Sequence, residues 1–160
     1  MDILFDYISK ELVIFLISMV PIVELRGAIP VAMAYDIPWY FAYTLAIIGN
    51  LVPVPFIIAY MKPIFAWIKK RTFLKSLAEK VEKRTEKKAE TVNKYSVLAL
   101  FIFVAIPLPG TGAWTGAMIA ALLDMRIKRA LPAITLGVIA AGAIVTLVSY
   151  AGITLLGNLF

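Results

Sequence analysis

Two long uncharged stretches constrain the fold of this chain more than any other feature. They run over residues 39–61 and 130–160. A helix rises about 1.5 Å per residue, so the first stretch would be about 34 Å long and the second would be longer. Both lengths suffice to cross the hydrocarbon core of a bilayer. The sequence therefore predicts two transmembrane helices.

Two further apolar regions are interrupted. Residues 12–35 are broken by Glu24 and Arg26, and residues 97–123 are broken by prolines and glycines at 107–112. Apolar runs of about 10–14 residues are typical of re-entrant segments rather than full spans. Proline also breaks a helix, because it lacks an N–H donor and its ring clashes with the preceding turn. We expect each region to form a helical hairpin that enters the membrane and returns to the same side.

The order of broken region and span occurs twice, with a charged segment in between. We therefore expect a single membrane domain over 1–160, with a first repeat at 1–61, a charged linker helix at 62–94 and a second repeat at 95–160. Each half would cross the membrane an odd number of times, so the second would be inverted relative to the first. The predicted fold class is an all-α integral membrane protein built from two inverted repeats, each a re-entrant hairpin plus one transmembrane helix.

The distribution of basic residues predicts the orientation. Of the 16 Lys and Arg residues, 11 lie in 62–94 and three lie in 126–129. Two hairpins place these two segments on one side, whereas four plain spans would separate them, and the positive-inside bias favours the hairpins. We predict a multi-pass protein of the cell (plasma) membrane with the linker in the cytoplasm and both termini outside. Basic loops beside apolar spans do not indicate nucleic-acid binding.

Composition excludes several classes of protein. The chain is 62% hydrophobic and 16% charged, against about 45–50% and about 25% in soluble domains, so a soluble globular fold is excluded. It contains no Cys and no His, which removes disulfides, thiol nucleophiles, His-based triads and the usual zinc sites. No phosphate-loop motif is present. We expect neither an enzyme nor a bound metal or cofactor.

Glu24 and Arg26 are the charged residues expected at membrane depth. A charge there costs on the order of 2.5–3.5 kcal/mol, so such residues usually face a cavity or a partner. We expect Glu24 to bind a proton and Arg26 to hold an anionic group. The alternatives are that the two residues pair structurally, with each other or across the repeat, or that the tip is exposed.

The turn at 107–112 is the second predicted site. Its glycines allow backbone N–H groups to face a ligand, and a helix restarting at Ala113, like one restarting after Gly27, would direct its positive end inward. A helix-breaking turn without a ligand is the alternative. The predicted substrate- or proton-binding residues are Glu24, Arg26, Gly110, Thr111 and Gly112. The residues expected to shape the tips are Pro21, Gly27, Pro30, Pro107 and Pro109.

Two more residues could line a cavity beside the tips. Asn50 interrupts the first span together with two prolines, which free backbone carbonyls, although a kink that improves packing is the plainer interpretation. Trp114 follows the second tip at a depth that does not suit an interfacial aromatic belt.

These segments carry a resemblance to a known family. The motif at 24–30, Glu-Leu-Arg-Gly-Ala-Ile-Pro, the turn at 107–112 and the basic segment between them resemble the small multidrug-export protein family. That family is similar in plan to the larger DedA (VTT-domain) superfamily. The resemblance covers nearly the whole chain and implies two re-entrant hairpins, charged tip residues and translocation of lipid phosphates. Only Glu24 and Arg26 match the charged tip residues, since the second turn has none.

The resulting functional expectation is a small membrane transporter. We expect a proton-linked exporter that moves an amphiphile or an anionic lipid-like substrate across or between leaflets, because an Arg and two inward helix N-termini attract anions. The alternative is a non-transporting membrane assembly or scaffold protein with a structural Glu24–Arg26 pair. The expected partners are the lipid bilayer, a small amphiphilic or lipid-phosphate substrate, and a second copy of the chain in a homodimer.

Overall fold

The computed structural model describes residues 2–71 and 89–157, and the regular elements within these ranges are all helices. Of the linker predicted at 62–94, residues 72–88 lie outside the described residues. The seven described helices are α1 (Asp2–Met19), α2 (Glu24–Ala34), α3 (Trp39–Leu51), α4 (Pro53–Arg71), α5 (Ala89–Ala105), α6 (Ala113–Leu122) and α7 (Ile127–Gly157).

Both interrupted regions form two helices with a break between them. In the first region the break covers residues 20–23, and in the second it covers residues 106–112. The first break ends earlier than expected, because the helix restarts at Glu24 rather than after Gly27. Gly27 and Pro30, expected at the tip, therefore lie inside α2, where the amide of Gly27 donates to the carbonyl of Val23 at 3.0 Å.

The two predicted spans appear as long apolar helices. Helices α3 and α4 follow each other with a single non-helical residue, Val52, before Pro53, so the expected interruption near Asn50 amounts to a local break. Together they form a largely apolar stretch of 29 residues over Trp39–Trp67, and α7 contributes one of 26 residues over Ile127–Gly152. By length and composition both can cross a membrane.

Helix boundaries recur between the two halves of the chain. Helices α1 and α5 end 86 residues apart, at Met19 and Ala105, and helices α3 and α7 begin 88 residues apart, at Trp39 and Ile127. The second break is three residues longer than the first, and α6 is one residue shorter than α2, which gives the net difference of two. Ala32 and Ala120, also 88 residues apart, are both fully buried.

The turns after α2 and α6 have the same hydrogen-bond pattern. In the first, the amide of Ile37 bonds the carbonyl of Ala32 at 3.0 Å, and in the second that of Met125 bonds Ala120 at 2.9 Å. Each turn contains an Asp with positive φ, 58° at Asp36 and 52° at Asp124. This is the Schellman arrangement, which satisfies the last carbonyls of a helix, and Asp is one of the few non-glycine residues that enter this backbone region readily.

Contacts between the long helices show that they run in opposite directions. The Tyr150 hydroxyl near the end of α7 donates to the carbonyl of Ile37 before α3 at 2.7 Å. At the other end, Lys62 Nζ on α4 lies 3.0 Å from Asp124 Oδ1 before α7. The rod formed by α3 and α4 is therefore antiparallel to α7.

Small residues permit close helix packing in both halves. A Cβ on Gly49 would lie 2.5 Å from the carbonyl oxygen of Phe15 on α1, and one on Gly137 would lie 3.0 Å from that of Phe101 on α5. The two glycines are 88 residues apart, and the two Phe residues that they approach are 86 residues apart. Close backbone approach at small residues is the usual way in which apolar helices associate in lipid.

Candidate functional site

The breaks in the two halves meet through Glu24 at the start of α2 and the N-terminus of α6. Glu24 has φ 50° and is only 4% exposed. Its Oε1 accepts a hydrogen bond from the backbone N–H of Trp114 at 3.0 Å. The first amides of a helix have no partner within the helix and favour negative charge. The carboxylate of one half thus caps a helix of the other.

Gly112 makes room for this carboxylate. Its φ of 139° and ψ of −170° lie in a region that is essentially restricted to glycine. A Cβ at this position would fall on the carboxylate of Glu24. Gly112 therefore leaves the space that the Glu24 side chain occupies.

Arg26 bonds the second turn rather than Glu24. Its Nη1 donates to the carbonyl oxygens of Leu108, at 2.6 Å, and Thr111. Its Nη2 donates to Thr111 Oγ1 at 2.8 Å and to the carbonyl of Ile106 at 3.3 Å. Among the described residues no ion pair joins Arg26 to Glu24, although the charge of Arg26 acts on the carboxylate over a longer distance.

Thr111 organises the turn from within. Its hydroxyl lies 2.7 Å from the carbonyl oxygen of Ile106 and 2.8 Å from that of Leu108. Gly110 has φ 83° and open space around the place of a Cβ. Pro107 and Pro109 lie in the same turn, and Pro21 lies in the exposed first break. The structure therefore brings Glu24, Arg26, Thr111 and Gly112 together.

Asn50 lies beside this meeting point without a completed hydrogen bond. Its side chain, on the last turn of α3, is fully buried and approaches the Glu24 carboxylate. Neither Oδ1 nor Nδ2 has a partner of hydrogen-bonding geometry. Asn50 places a buried polar side chain beside the carboxylate of Glu24.

Trp114 joins the two breaks a second time. Its indole Nε1 donates to the carbonyl of Met19 at the end of α1 at 3.1 Å, while its backbone N–H bonds Glu24. Trp114 lies 88 residues after Arg26. Arg26 donates side-chain hydrogen bonds to the second break, and Trp114 donates one to the last residue of α1, directly before the first break.

Sequence reasoning missed the contacts at the two ends of the helices. Lys62 pairs with Asp124, and Tyr150, 88 residues after Lys62, bonds the turn that precedes α3. The two turns could have been matched in sequence, because an Ala is followed four residues later by an Asp and then by an apolar residue at both 32–37 and 120–125. Over the described ranges, no cluster of three or more acidic residues suggests a metal site.

The helical architecture and its central charged contact define a class of protein. Two antiparallel apolar helices and two broken helical regions that meet at a buried carboxylate are consistent with a membrane protein.

Comparison with known families gives the membership. Residues 24–144 match the family described as "Putative small multi-drug export protein", and the chain belongs to that family. The match begins at Glu24, the residue that joins the two halves. No curated protein and no solved structure matches the chain. The expected membership of the small export family is confirmed, while similarity to the DedA superfamily stays a prediction.

Proposed function

We propose that this protein is a small transporter of the cell membrane, and that its central site is the contact between Glu24 and the N-terminus of α6. The family to which it belongs is named for export. The observation that carries the proposal is a buried carboxylate that bridges the two halves. A bound proton there would weaken the bond that holds the halves together.

The proposed topology is a pair of inverted repeats with re-entrant hairpins. It is supported by helix boundaries that recur after 86 and 88 residues, by matching turns after α2 and α6, and by the antiparallel course of the long helices. The basic segment 62–94 and the turn 123–126 would face the cytoplasm, since the ion pair between Lys62 and Asp124 brings them to the same end. Both chain termini would lie outside.

The proposed cycle exchanges Glu24 for an anionic headgroup. In the structure the carboxylate occupies the helix terminus where an anion would bind. When Glu24 takes up a proton it loses its charge, and an anionic amphiphile takes its place against the amides of α6. The side-chain amide of Asn50 then bonds either the displaced carboxyl group of Glu24 or the headgroup. Arg26 on α2 contributes the positive charge of its guanidinium group, which bonds the turn. Proton uptake and substrate binding are then linked at one residue.

We infer transport rather than catalysis. Among the described residues the site contains a single carboxylate and no nucleophile held by a base, so it offers polar binding groups without a reacting pair.

A non-transporting assembly protein is the second candidate. It is favoured by the fact that Glu24 and Arg26 both bond backbone groups of the opposite half, which is what structural residues would do. Homodimer formation stays a prediction under either candidate.

Transport of a fluorescent anionic lipid distinguishes the two candidates. The full chain is reconstituted in vesicles with nitrobenzoxadiazole-labelled phosphatidylglycerol, and dithionite is used to follow the dye between leaflets. We expect wild-type protein to accelerate exchange over empty vesicles and a pH gradient to increase the rate further. Glu24→Gln should abolish the effect of the gradient.

The matched control is Asp36→Asn, which makes the same acid-to-amide change at an exposed turn and should behave as wild type. If wild-type protein moves no labelled lipid, anionic or cationic, the assembly protein is favoured. If Glu24→Gln keeps the response to the gradient, proton linkage does not involve this residue.

A further inference from the structure

The second break is unusually rich in hydrogen-bond acceptors. Residues 106–112 read Ile-Pro-Leu-Pro-Gly-Thr-Gly, and each proline adds a carbonyl to the turn without adding an N–H. The carbonyl oxygens of Ile106, Leu108 and Thr111 and the hydroxyl of Thr111 all bond one group. Within the turn, the amides of Leu108 and Thr111 and the hydroxyl of Thr111 already supply donors to the carbonyls of Ile106 and Leu108. Each carbonyl oxygen has two lone pairs, so the turn can also accept hydrogen bonds from a donor outside it.

The shape of the acceptor set fits a guanidinium group. The two terminal nitrogens of Arg26 face four oxygen acceptors, two for each nitrogen. A guanidinium presents its N–H groups in a planar fork, whereas an ammonium group concentrates three donors on one atom. The remaining Arg26 nitrogen, Nε, is buried without a partner, so the bonds to the turn are made by the end of the side chain.

The bonds connect distant parts of the molecule. Arg26 lies on α2 of the first half, and its acceptors are 80–85 residues away in the second half. Directly after these acceptors comes Gly112, which contacts Glu24, and then α6. Holding the turn therefore also positions the helix terminus that Glu24 caps.

We propose that the turn 106–111 is a binding site for a guanidinium cation, which the side chain of Arg26 fills from within the same chain. Arg26 is then a positioning residue that holds the turn, and its donors are not available for a substrate anion. The site does not depend on transport. When the side chain is removed, the turn keeps its oxygen acceptors and binds guanidinium from solution.

Chemical rescue tests the site. Trp39→Phe and Trp67→Phe leave Trp114, which contacts the first break, as the single fluorescent indole. In the full chain in detergent micelles, Arg26→Ala should lower the melting temperature of the Trp114 signal by roughly 5–10 °C. Millimolar guanidinium chloride should restore most of this loss in a saturable manner. Sodium chloride and methylammonium chloride at equal ionic strength should not.

Three comparisons make the result decisive. Wild-type protein should show no stabilisation by guanidinium, because its site is filled. Thr111→Val in the Arg26→Ala background removes one acceptor and should weaken the rescue several-fold. Arg126→Ala removes an exposed Arg from a turn and should show no rescue. If Arg26→Ala does not fold, Arg26→Met keeps a long unbranched side chain without a donor, so it leaves the same acceptors vacant with a smaller loss. A guanidinium effect that is absent, not saturable, or equal in wild type overturns the proposal.

Discussion

Gly112→Ala should break the contact between the two halves of the molecule. The φ of 139° and ψ of −170° at Gly112 lie in a region where a side chain costs of order 1–3 kcal/mol. A Cβ would also fall on the Glu24 carboxylate and move it from the N–H of Trp114. A hydrogen bond to a charged group contributes roughly 1.5–3 kcal/mol. We expect the free energy of unfolding to fall by about 2.5–6 kcal/mol.

Gly110→Ala is the matched control in the same turn. Gly110 also has positive φ, at 83°, but nothing lies within 4 Å of the place of its Cβ. Its replacement should therefore cost only backbone strain, about 1–2 kcal/mol. Both variants add the same methyl group at a glycine of positive φ in the same turn, so the difference between them reports the contact with Glu24 together with any difference in backbone strain. The assay is unfolding of the purified protein in mixed micelles by added sodium dodecyl sulfate, followed by tryptophan fluorescence.

A second background separates the collision from the strain. Glu24→Ala removes the side chain that the new Cβ would strike, so Gly112→Ala should then cost little more than its strain. The coupling energy of this double-mutant cycle should be on the order of 1.5–3 kcal/mol. Equal costs for the two glycine variants, or an unchanged cost of Gly112→Ala in the Glu24→Ala protein, would refute the reasoning.

Two further predictions concern packing and the ends of the helices. Gly49→Ala should destabilise the protein by about 1–3 kcal/mol, since its Cβ meets the adjacent α1 helix. Gly152→Ala, with open space around it, should be neutral or stabilising in the same unfolding assay. Equal effects of the two variants would contradict this packing. Lys62→Gln should lower the free energy of unfolding by less than about 1 kcal/mol, and this loss should disappear in high salt because Asp124 is exposed. Tyr150→Phe should lower it by about 1 kcal/mol at any salt concentration. A salt-dependent cost of Tyr150→Phe would argue against a neutral hydrogen bond.

The elements of the fold were predictable because their signals are local. Hydropathy identified both long helices, the charges of Glu24 and Arg26 indicated an interruption of the first broken region, and the prolines and glycines at 107–112 identified the second break. The restart of α2 at Glu24 was not predictable in this way. Gly27 looks like a helix breaker in sequence, but the bonds of the flanking residues to the second half hold it within a helix.

The candidate residues were predictable, whereas their partners were not. A charge inside an apolar stretch is visible in sequence and marked Glu24 and Arg26. Pairing of Glu24 with Trp114, 90 residues away, depends on how the two halves approach each other. The three-residue difference in length between the breaks also hides which residues of the two halves come together, because no single offset relates the two halves.

The sequence by itself determined that the chain is helical and apolar, that two of its apolar regions are interrupted, and which two charges lie within the apolar regions, since each of these depends on the properties of neighbouring residues. The tertiary structure alone decided that Glu24 caps α6 and that Arg26 bonds the second turn instead of Glu24. The physical reason is that unpaired amides and carbonyls at the two breaks compete for the few side chains that can satisfy them. Only the three-dimensional approach of the halves determines which side chain reaches which group.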